Sequence, residues 1–204
     1  MDYRILYYIL FGYLSGSVLY APFFGRVIAH KDIAEGSRDQ NPGTANAFLQ
    51  GGTLCGFCTL FFELAKGFLP VFLFLKAYPA PGLWVALVMA APVVGHILPL
   101  FHRFQGGKAV AVSFGALLGL YPYLTPVMTL ASLFILFSVV IVISPNYHRT
   151  FVTYMALAVV SVITVRNSFI RFGVQLICGC ILVKLLTSEE RREKGSVRII
   201  GFSK

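Results

Sequence analysis

The stretch GGTLCGFCTLFFELAKGFLPVFLFL, Gly51 to Leu75, decides the fold because it is long and apolar enough to cross a bilayer. A helix needs about 20 mostly apolar residues to span roughly 30 Å of hydrocarbon. Only Glu63 and Lys66 interrupt the run with a charge, and both fall near its middle. The stretch therefore predicts a membrane-spanning helix that carries an ionisable pair.

The composition of the whole chain agrees with a membrane protein. Of its 204 residues, 57% are hydrophobic and 12% are charged, and the mean hydropathy is +0.79. These values exclude an ordinary soluble domain. The first apolar run has no short core that ends in a small-residue cleavage site, so it predicts a retained span rather than a secretory signal.

Seven apolar runs predict an all-α integral membrane protein, a compact bundle of seven transmembrane helices that forms one domain over residues 1–204. Inside a bilayer every backbone polar group has to be satisfied within the protein, which favours helices. No internal repeat and no long linker divides the chain. The predicted spans are 5–24, 51–75, 82–100, 108–122, 125–144, 151–165 and 169–187.

The basic residues predict the orientation of this bundle. The net charge is +9, and the tail at about 188–204 carries the largest basic cluster. Since cytoplasmic loops are enriched in Lys and Arg, the tail is predicted to be cytoplasmic and the N-terminus outside. Arg166 and Arg171 fall on the predicted outside, which keeps a five-span alternative open. The other segments predicted to be cytoplasmic are the connections around 25–50, 101–107 and 145–150.

The positive charge has a membrane explanation and does not require nucleic acid as a partner. Anionic lipid headgroups are the expected partners of the basic tail. The four cysteines lie inside apolar runs. Cys55 and Cys58 have a C-x-x-C spacing, but no second Cys or His pair at zinc spacing lies near them. We interpret the cysteines as small packing residues and expect no metal and no cofactor.

A cluster of small polar residues, GSRDQNPGTANAFLQGG at 36–52, separates the first two spans. Gly43 permits a positive φ, and the Asn and Thr side chains suit the start of a helix. Successive backbone N–H groups in such a turn form a nest for an anion. The spacing alone leaves two interpretations open, an anion-binding loop and a plain helix cap between two spans.

A second polar segment, GHILPLFHRFQGGKAVAVSFG at 95–115, ends the third span and begins the fourth. Its Gly106-Gly107-Lys108 places backbone amides and an ammonium together at a helix N-terminus, which suits an anion. A lysine that snorkels to the membrane interface is the alternative. His96 is either a proton-transfer group or a side chain hydrogen-bonded to a carbonyl.

The third polar feature is the pair Glu63 and Lys66, three residues apart and hence on one helix face. Ionisable groups inside a membrane are costly unless they are paired or face a polar cavity, so they mark a functional site by default. Gly67 and Pro70 indicate an irregular helix beside such a cavity. A structural ion pair that holds helices together is the alternative.

These three segments, in this order, resemble the bacterial acyl-phosphate:glycerol-3-phosphate acyltransferases, the PlsY family. The family pattern G-S-G-N-x-G-A-T-N resembles residues 36–46, with two residues inserted and the Ala-Thr order swapped. The pattern D-x-x-K-G resembles Glu63 to Gly67. The pattern G-H-x-x-P-x-F-x-x-F-x-G-G-K-G-V-A-T resembles Gly95 to Val112 and is the most specific of the three. The resemblance covers about Ser15 to Leu120.

The resemblance implies a multi-pass enzyme of the bacterial plasma (inner) membrane with its active-site loops on the cytoplasmic side. In this family the 1-hydroxyl of glycerol 3-phosphate attacks the carbonyl of an acyl phosphate, inorganic phosphate leaves, and lysophosphatidic acid forms for phospholipid synthesis. Both substrates are anions, which amides and cations at helix ends would stabilise. A partner enzyme that produces acyl phosphate is implied as well.

The motif matches assign roles to individual residues. The implied catalytic residues are His96, Lys108 and Lys66. The residues implied to bind substrate phosphate are Ser37, Arg38, Asn41, Gly43, Thr44, Asn46, Gly106 and Gly107.

Several positions depart from the family pattern. Leu49 stands where the first motif is followed by an arginine, and Leu185 and Ser188 stand where the last motif has His and Asn. The serine expected between spans five and six has no clear counterpart, and His148 or Thr150 could occupy its space. Two alternatives therefore stay open beside the acyltransferase. One is a non-catalytic relative that binds a phosphorylated lipid precursor or a partner enzyme, and the other is a small anion or lipid transporter.

Overall fold

The protein is a helical bundle, shown here by a computed structural model that describes residues 3–35, 37, 41–80, 82–188 and 195–199. A 3-10 turn at Leu100–His102, a π-helical turn at Leu136–Val140 and two short strands complete the secondary structure. The α-helices are α1 Tyr3–Ser17, α2 Tyr20–Ile28, α3 Thr44–Ala77, α4 Trp84–Ile97, α5 Val110–Leu118, α6 Thr125–Ile135, α7 Asn146–Thr164 and α8 Ser168–Thr187.

Four helical segments in the described part of the chain are long and apolar enough to cross a membrane. They coincide with the first, second, third and seventh predicted spans, so the helical membrane fold is confirmed. The other three predicted spans correspond to α5, to α6 with its π-helical turn, and to α7. The count of seven spans and the orientation remain predictions. The four segments are Tyr3–Ile28, Thr44–Ala77, Trp84–His102 and Ser168–Thr187.

Two of these segments are interrupted inside the bundle. The first is broken between α1 and α2, where Leu19 has an extended backbone. The second bends at Gly52, whose φ of 80° and ψ of 179° only glycine adopts readily. The residues before this bend, Thr44 to Gly51, are helical although the sequence predicted a loop there. The connection before α3 is therefore shorter than predicted and ends at Gly43.

A small antiparallel sheet corrects the end of the fifth predicted span. Residues 141–144 form β1, which pairs with β2, Ser196–Ile199, in the C-terminal tail. Ile141 pairs with Ile199 and Ser144 pairs with Ser196. The apolar run Ile141-Val142-Ile143 is β-branched, and such side chains fit a strand better than a helix. The apolar pattern alone could not distinguish this strand from the last turn of a span.

The helices that frame the cavity described below approach one another through glycine. A Cβ at Gly115 of α5 would lie 2.1 Å from the carbonyl oxygen of Leu64 in α3. A Cβ at Gly67 of α3 would lie 2.2 Å from the carbonyl oxygen of Val112. Small residues of this kind let membrane helices pack backbone against backbone. The start of α5 is thereby fixed against the middle of α3.

Hydrogen bonds between side chains fix α7 to its neighbours. The fully buried hydroxyl of Tyr154 in α7 hydrogen-bonds to Ser113 of α5. Gln175 of α8 donates to the hydroxyl of Ser161 at 2.8 Å and to the carbonyl of Ala158 at 2.8 Å. In a membrane such bonds contribute about 0.6 kcal/mol each on average. The first bond holds α7 beside α5, and the two from Gln175 hold it beside α8.

Candidate functional site

A cavity of about 310 Å³ lies where α3, α5 and α7 begin. The connections that precede these three helices therefore share one end of the bundle, as the charge pattern predicted. The lining combines polar and apolar residues. The polar group, with one glycine, is Asn41, Gly43, Thr44, Glu63, His96, Lys108, Asn146, Arg149 and Thr150, and the apolar group is Ala45, Leu60, Ala109, Val110, Ala111, Phe114 and Phe134.

Lys108 reaches this cavity from the segment that precedes α5, and its side chain is only 7% exposed. The two glycines before it let the loop lie directly on the end of α4. A Cβ at Gly106 would meet the carbonyl oxygen of His96 at 1.9 Å, and a Cβ at Gly107 would meet His96 Nε2 at 2.5 Å. Gly106 and Gly107 therefore position Lys108, since any larger residue would push the loop away.

The segment before α3 forms another part of the wall through Asn41, Gly43 and Thr44. The amide of Gly43 donates to the carbonyl of Asn41 at 2.8 Å, and the side chain of Asn46 donates to the same carbonyl at 2.8 Å. Gly43 is extended, with φ −114°, so the positive φ considered from the sequence is wrong for this residue. Its amide is used within the turn, and Asn46 holds the turn from inside α3 without lining the cavity.

The predicted ionisable pair forms a buried cluster with His96. Lys66 Nζ lies 2.8 Å from Glu63 Oε2, and His96 Nδ1 lies 3.0 Å from the same oxygen. Lys66 Nζ is also 2.9 Å from His96 Nδ1. Each of the three residues is at most 3% exposed. Glu63 and His96 also line the cavity, whereas Lys66 does not.

The contacts of Lys66 lie at the break between α1 and α2. Its ammonium donates to the carbonyl of Val18, and Ser15 donates to the backbone carbonyl of Lys66 at 3.1 Å. Glu63 Oε1 accepts from the amide of Tyr20 at 3.1 Å. The pair thus satisfies backbone groups that the broken helix leaves unpaired, a structural role that the sequence left open.

The remaining predicted residues lie away from the cavity or outside the described part of the chain. Ser37 donates its hydroxyl to the carbonyl of Ala34 at 2.8 Å and does not line the cavity. Arg38 is outside the described residues. Leu49 is 77% exposed, and Leu185 is fully buried in the apolar core. Neither leucine supplies the polar group that the family pattern has at its position.

Three polar residues of α7 line the cavity and extend the predicted set. They are Asn146, Arg149 and Thr150. From the sequence, Thr150 was one candidate for the place of the serine expected between spans five and six. Arg149 was used only to predict the orientation of the bundle. The sequence signal for these residues was Ser144-Pro145 followed by polar side chains. A helix that begins after this proline starts at the same end of the bundle as α3 and α5.

The cysteines are free thiols, and Cys55 and Cys178 are buried in apolar surroundings. Within the ranges that the structure describes, no three His, Cys, Asp or Glu side chains are grouped to hold a metal ion.

The fold and the cavity define a polytopic membrane protein that gathers cationic and apolar side chains in a cavity at one end of its helix bundle. Among known families, the profile described as glycerol-3-phosphate acyltransferase matches residues 6–196. The chain belongs to the glycerol-3-phosphate acyltransferase family, which confirms the resemblance found in its motifs.

Individual relatives match over part of their length. The glycerol-3-phosphate acyltransferase of Actinobacillus pleuropneumoniae serotype 5b (strain L20) is 40% identical over 120 residues, 59% of this chain and 60% of that protein. The one of Serratia proteamaculans (strain 568) is 39% identical over 121 residues, 59% of this chain and 56% of that protein. The matched part thus spans less than two thirds of these relatives.

Solved structures share the fold over nearly the whole chain. The lysophosphatidic acid form of PlsY (YgiH), an integral membrane glycerol 3-phosphate acyltransferase, has a TM-score of 0.75 and 21% identity, and the match covers 93% of this chain and 95% of that one. Its glycerol 3-phosphate form has a TM-score of 0.74 and 23% identity, covering 94% and 96%. At this identity, the likeness establishes the fold.

Proposed function

We propose that this protein moves a fatty acyl group from acyl phosphate to the 1-hydroxyl of glycerol 3-phosphate, giving lysophosphatidic acid for phospholipid synthesis. Membership of the family supports this reaction. The observation that carries it is the mixed lining of the cavity, whose cationic side chains suit phosphate and whose apolar side chains suit an acyl chain. Binding sites of this kind combine an apolar lining with a few converging polar groups.

Lys108 is the principal electrostatic group in this proposal. Its ammonium lies at the start of α5, where the helix dipole also favours negative charge. When the acceptor oxygen attacks the acyl carbonyl, negative charge develops on the carbonyl oxygen and then on the leaving phosphate. A buried cation in the cavity stabilises that charge more strongly than one in water.

His96 is the proton acceptor. For this role the imidazole has to carry its proton on Nδ1, which lies 3.0 Å from Glu63 Oε2, so that Nε2 is the basic nitrogen. His96 lines the cavity, and its Nε2 lies beside Gly107, in the loop that carries Lys108. The 1-hydroxyl proton passes to Nε2 as the new carbon–oxygen ester bond forms and the acyl–phosphate bond breaks.

The other residues of the site position these two. Lys66 neutralises Glu63 and so acts on His96 through the carboxylate. Asn41, Gly43 and Thr44 line the cavity, with Asn41 beside Gly107 of the loop that carries Lys108, and are proposed to contact the substrate phosphate.

The proposal includes a place in the cell. The bundle crosses the bacterial inner membrane seven times, with the N-terminus outside and the cavity end cytoplasmic. The basic residues Arg26, Lys31 and Arg103 lie in or beside connections at that end, which supports this orientation. Acyl phosphate then reaches the cavity from a partner enzyme on the cytoplasmic side.

The test is acyl transfer by the full chain in detergent or nanodiscs, given a long-chain acyl phosphate and radiolabelled glycerol 3-phosphate. Lysophosphatidic acid should form, and Lys108→Ala should lower kcat/KM by about 100- to 1,000-fold, the cost of one electrostatic donor. Lys76→Ala is the matched control, because Lys76 is exposed at the far end of α3. Absence of labelled product with folded protein would refute the reaction.

A non-catalytic relative is the second candidate, and Leu185 favours it. This leucine is packed in the core where the family pattern has a polar residue. Binding of glycerol 3-phosphate without any product in the same assay would support that function instead.

A further inference from the structure

Arg149 has donors that the described part of the chain does not use. It lies in the first turn of α7 and lines the cavity. One terminal nitrogen, Nη2, donates to Asn146 Oδ1 at 2.6 Å. Its Nε is buried and has no hydrogen-bond partner among the described residues. A guanidinium presents five N–H donors in a fixed fork, so Asn146 orients the group while part of the fork remains available.

The charge around Arg149 points in the same direction. A cation in the first turn of a helix is repelled by the helix dipole, and α7 has no acidic residue there. Glu63 is the acidic side chain among the described lining residues, and Lys66 lies 2.8 Å from its carboxylate. Lys108 adds a second cation to the cavity wall. The cavity therefore has an excess of positive charge that an anion would neutralise.

We infer that Arg149, oriented by Asn146, binds a phosphate group in this cavity and selects substrates that carry one. The inference rests on the proposed function and deepens it by naming a specificity-determining residue that none of the three sequence motifs contains. A fork of parallel N–H groups matches two phosphate oxygens, which a lysine ammonium cannot do. Arg149→Lys should therefore be impaired although it keeps the charge.

The phosphate belongs to either glycerol 3-phosphate or acyl phosphate, and steady-state kinetics separate the two. Arg149→Ala should raise KM by about 10- to 100-fold, the range for a charge-assisted hydrogen bond, for one substrate only. Arg149→Lys should show a smaller rise for the same substrate, and Asn146→Ala a smaller one still. Arg103→Ala is the control, because Arg103 is exposed at the same end of the bundle and does not line the cavity.

Ligand protection decides the inference independently of turnover. Glycerol 3-phosphate, inorganic phosphate or a non-hydrolysable acyl phosphonate should raise the Tm of the detergent-solubilised wild type but not that of Arg149→Ala, with Arg149→Lys as the variant that keeps the charge. Equal protection of both proteins, or none in the wild type, would overturn the role of Arg149. An inactive wild type that is still protected through Arg149 would refute the acyl transfer and leave the phosphate site intact.

Discussion

Lys66→Met tests the buried charge cluster most directly, because the substitution keeps the length of the side chain and removes its charge. Lys66 Nζ lies 2.8 Å from Glu63 Oε2, and both side chains are 2% exposed. At an effective dielectric constant of 20, two unit charges at this separation attract each other by about 6 kcal/mol. The gross attraction is thus comparable to the whole stability of many domains.

The net cost of the substitution should be smaller than this attraction. Glu63 keeps His96 at 3.0 Å and the amide of Tyr20 at 3.1 Å, but the carbonyl of Val18 loses its donor. Removing one partner of a buried pair typically costs about 3 to 5 kcal/mol, since the other charge stays buried and uncompensated. We expect Lys66→Met to fall in this range.

The double variant Glu63→Leu with Lys66→Met separates the pair from the packing around it. Replacing both charges with apolar groups leaves no uncompensated charge, so much of the lost stability should return. The assay is reversible unfolding of detergent-solubilised protein in a double-mutant cycle. Lys76→Met is the control, since an exposed lysine should change stability by less than about 0.5 kcal/mol. Additive losses in the cycle would refute the argument that the two charges stabilise each other.

The remaining predictions concern the glycines and the proposed base. Gly115→Ala should destabilise the fold by about 1 to 3 kcal/mol and lower acyl transfer, because its Cβ meets the carbonyl oxygen of Leu64 at 2.1 Å and α5 must shift; thermal unfolding and activity measure both effects. Gly52→Ala has open space but a φ of 80°, so it should cost about 1 to 2 kcal/mol, and an unchanged Tm would contradict the strain. His96→Gln should lower kcat by about 100- to 10,000-fold with little change in KM, whereas full activity would exclude His96 as the base.

Much of the fold was predictable because apolar runs report directly on membrane spans. The second predicted span begins at Gly51, and the helix bends at Gly52, so the apolar boundary marks a real change in the backbone. The stretch from Thr44 to Gly51 was less predictable, since its small polar residues are weak helix formers and suit turns as well. Tertiary packing favours its helical state, since Ala47 is buried in a cluster with Ala21 and Ile33.

The lining of the cavity was predictable where its residues belong to one short polar segment of the chain. Lys108 and the turn at Asn41 were found because glycine and asparagine cluster beside them. Arg149 was not, because a single arginine after a span also satisfies the orientation rule. For Lys66 the spacing from Glu63 predicted a shared helix face but not which neighbour that face meets, and only packing places it at the break after Ser17.

The pairing of β1 with β2 also has a consequence for the order in which the protein is completed. Every described residue that lines the cavity precedes residue 151, yet Ser144 finds its partner about 50 residues later, which at typical synthesis rates means roughly 3 to 10 s. During that interval β1, which leads directly into the helix of Arg149, has no partner on its edge. The helices that line the cavity are therefore synthesised first, and β1 gains its partner strand β2 afterwards.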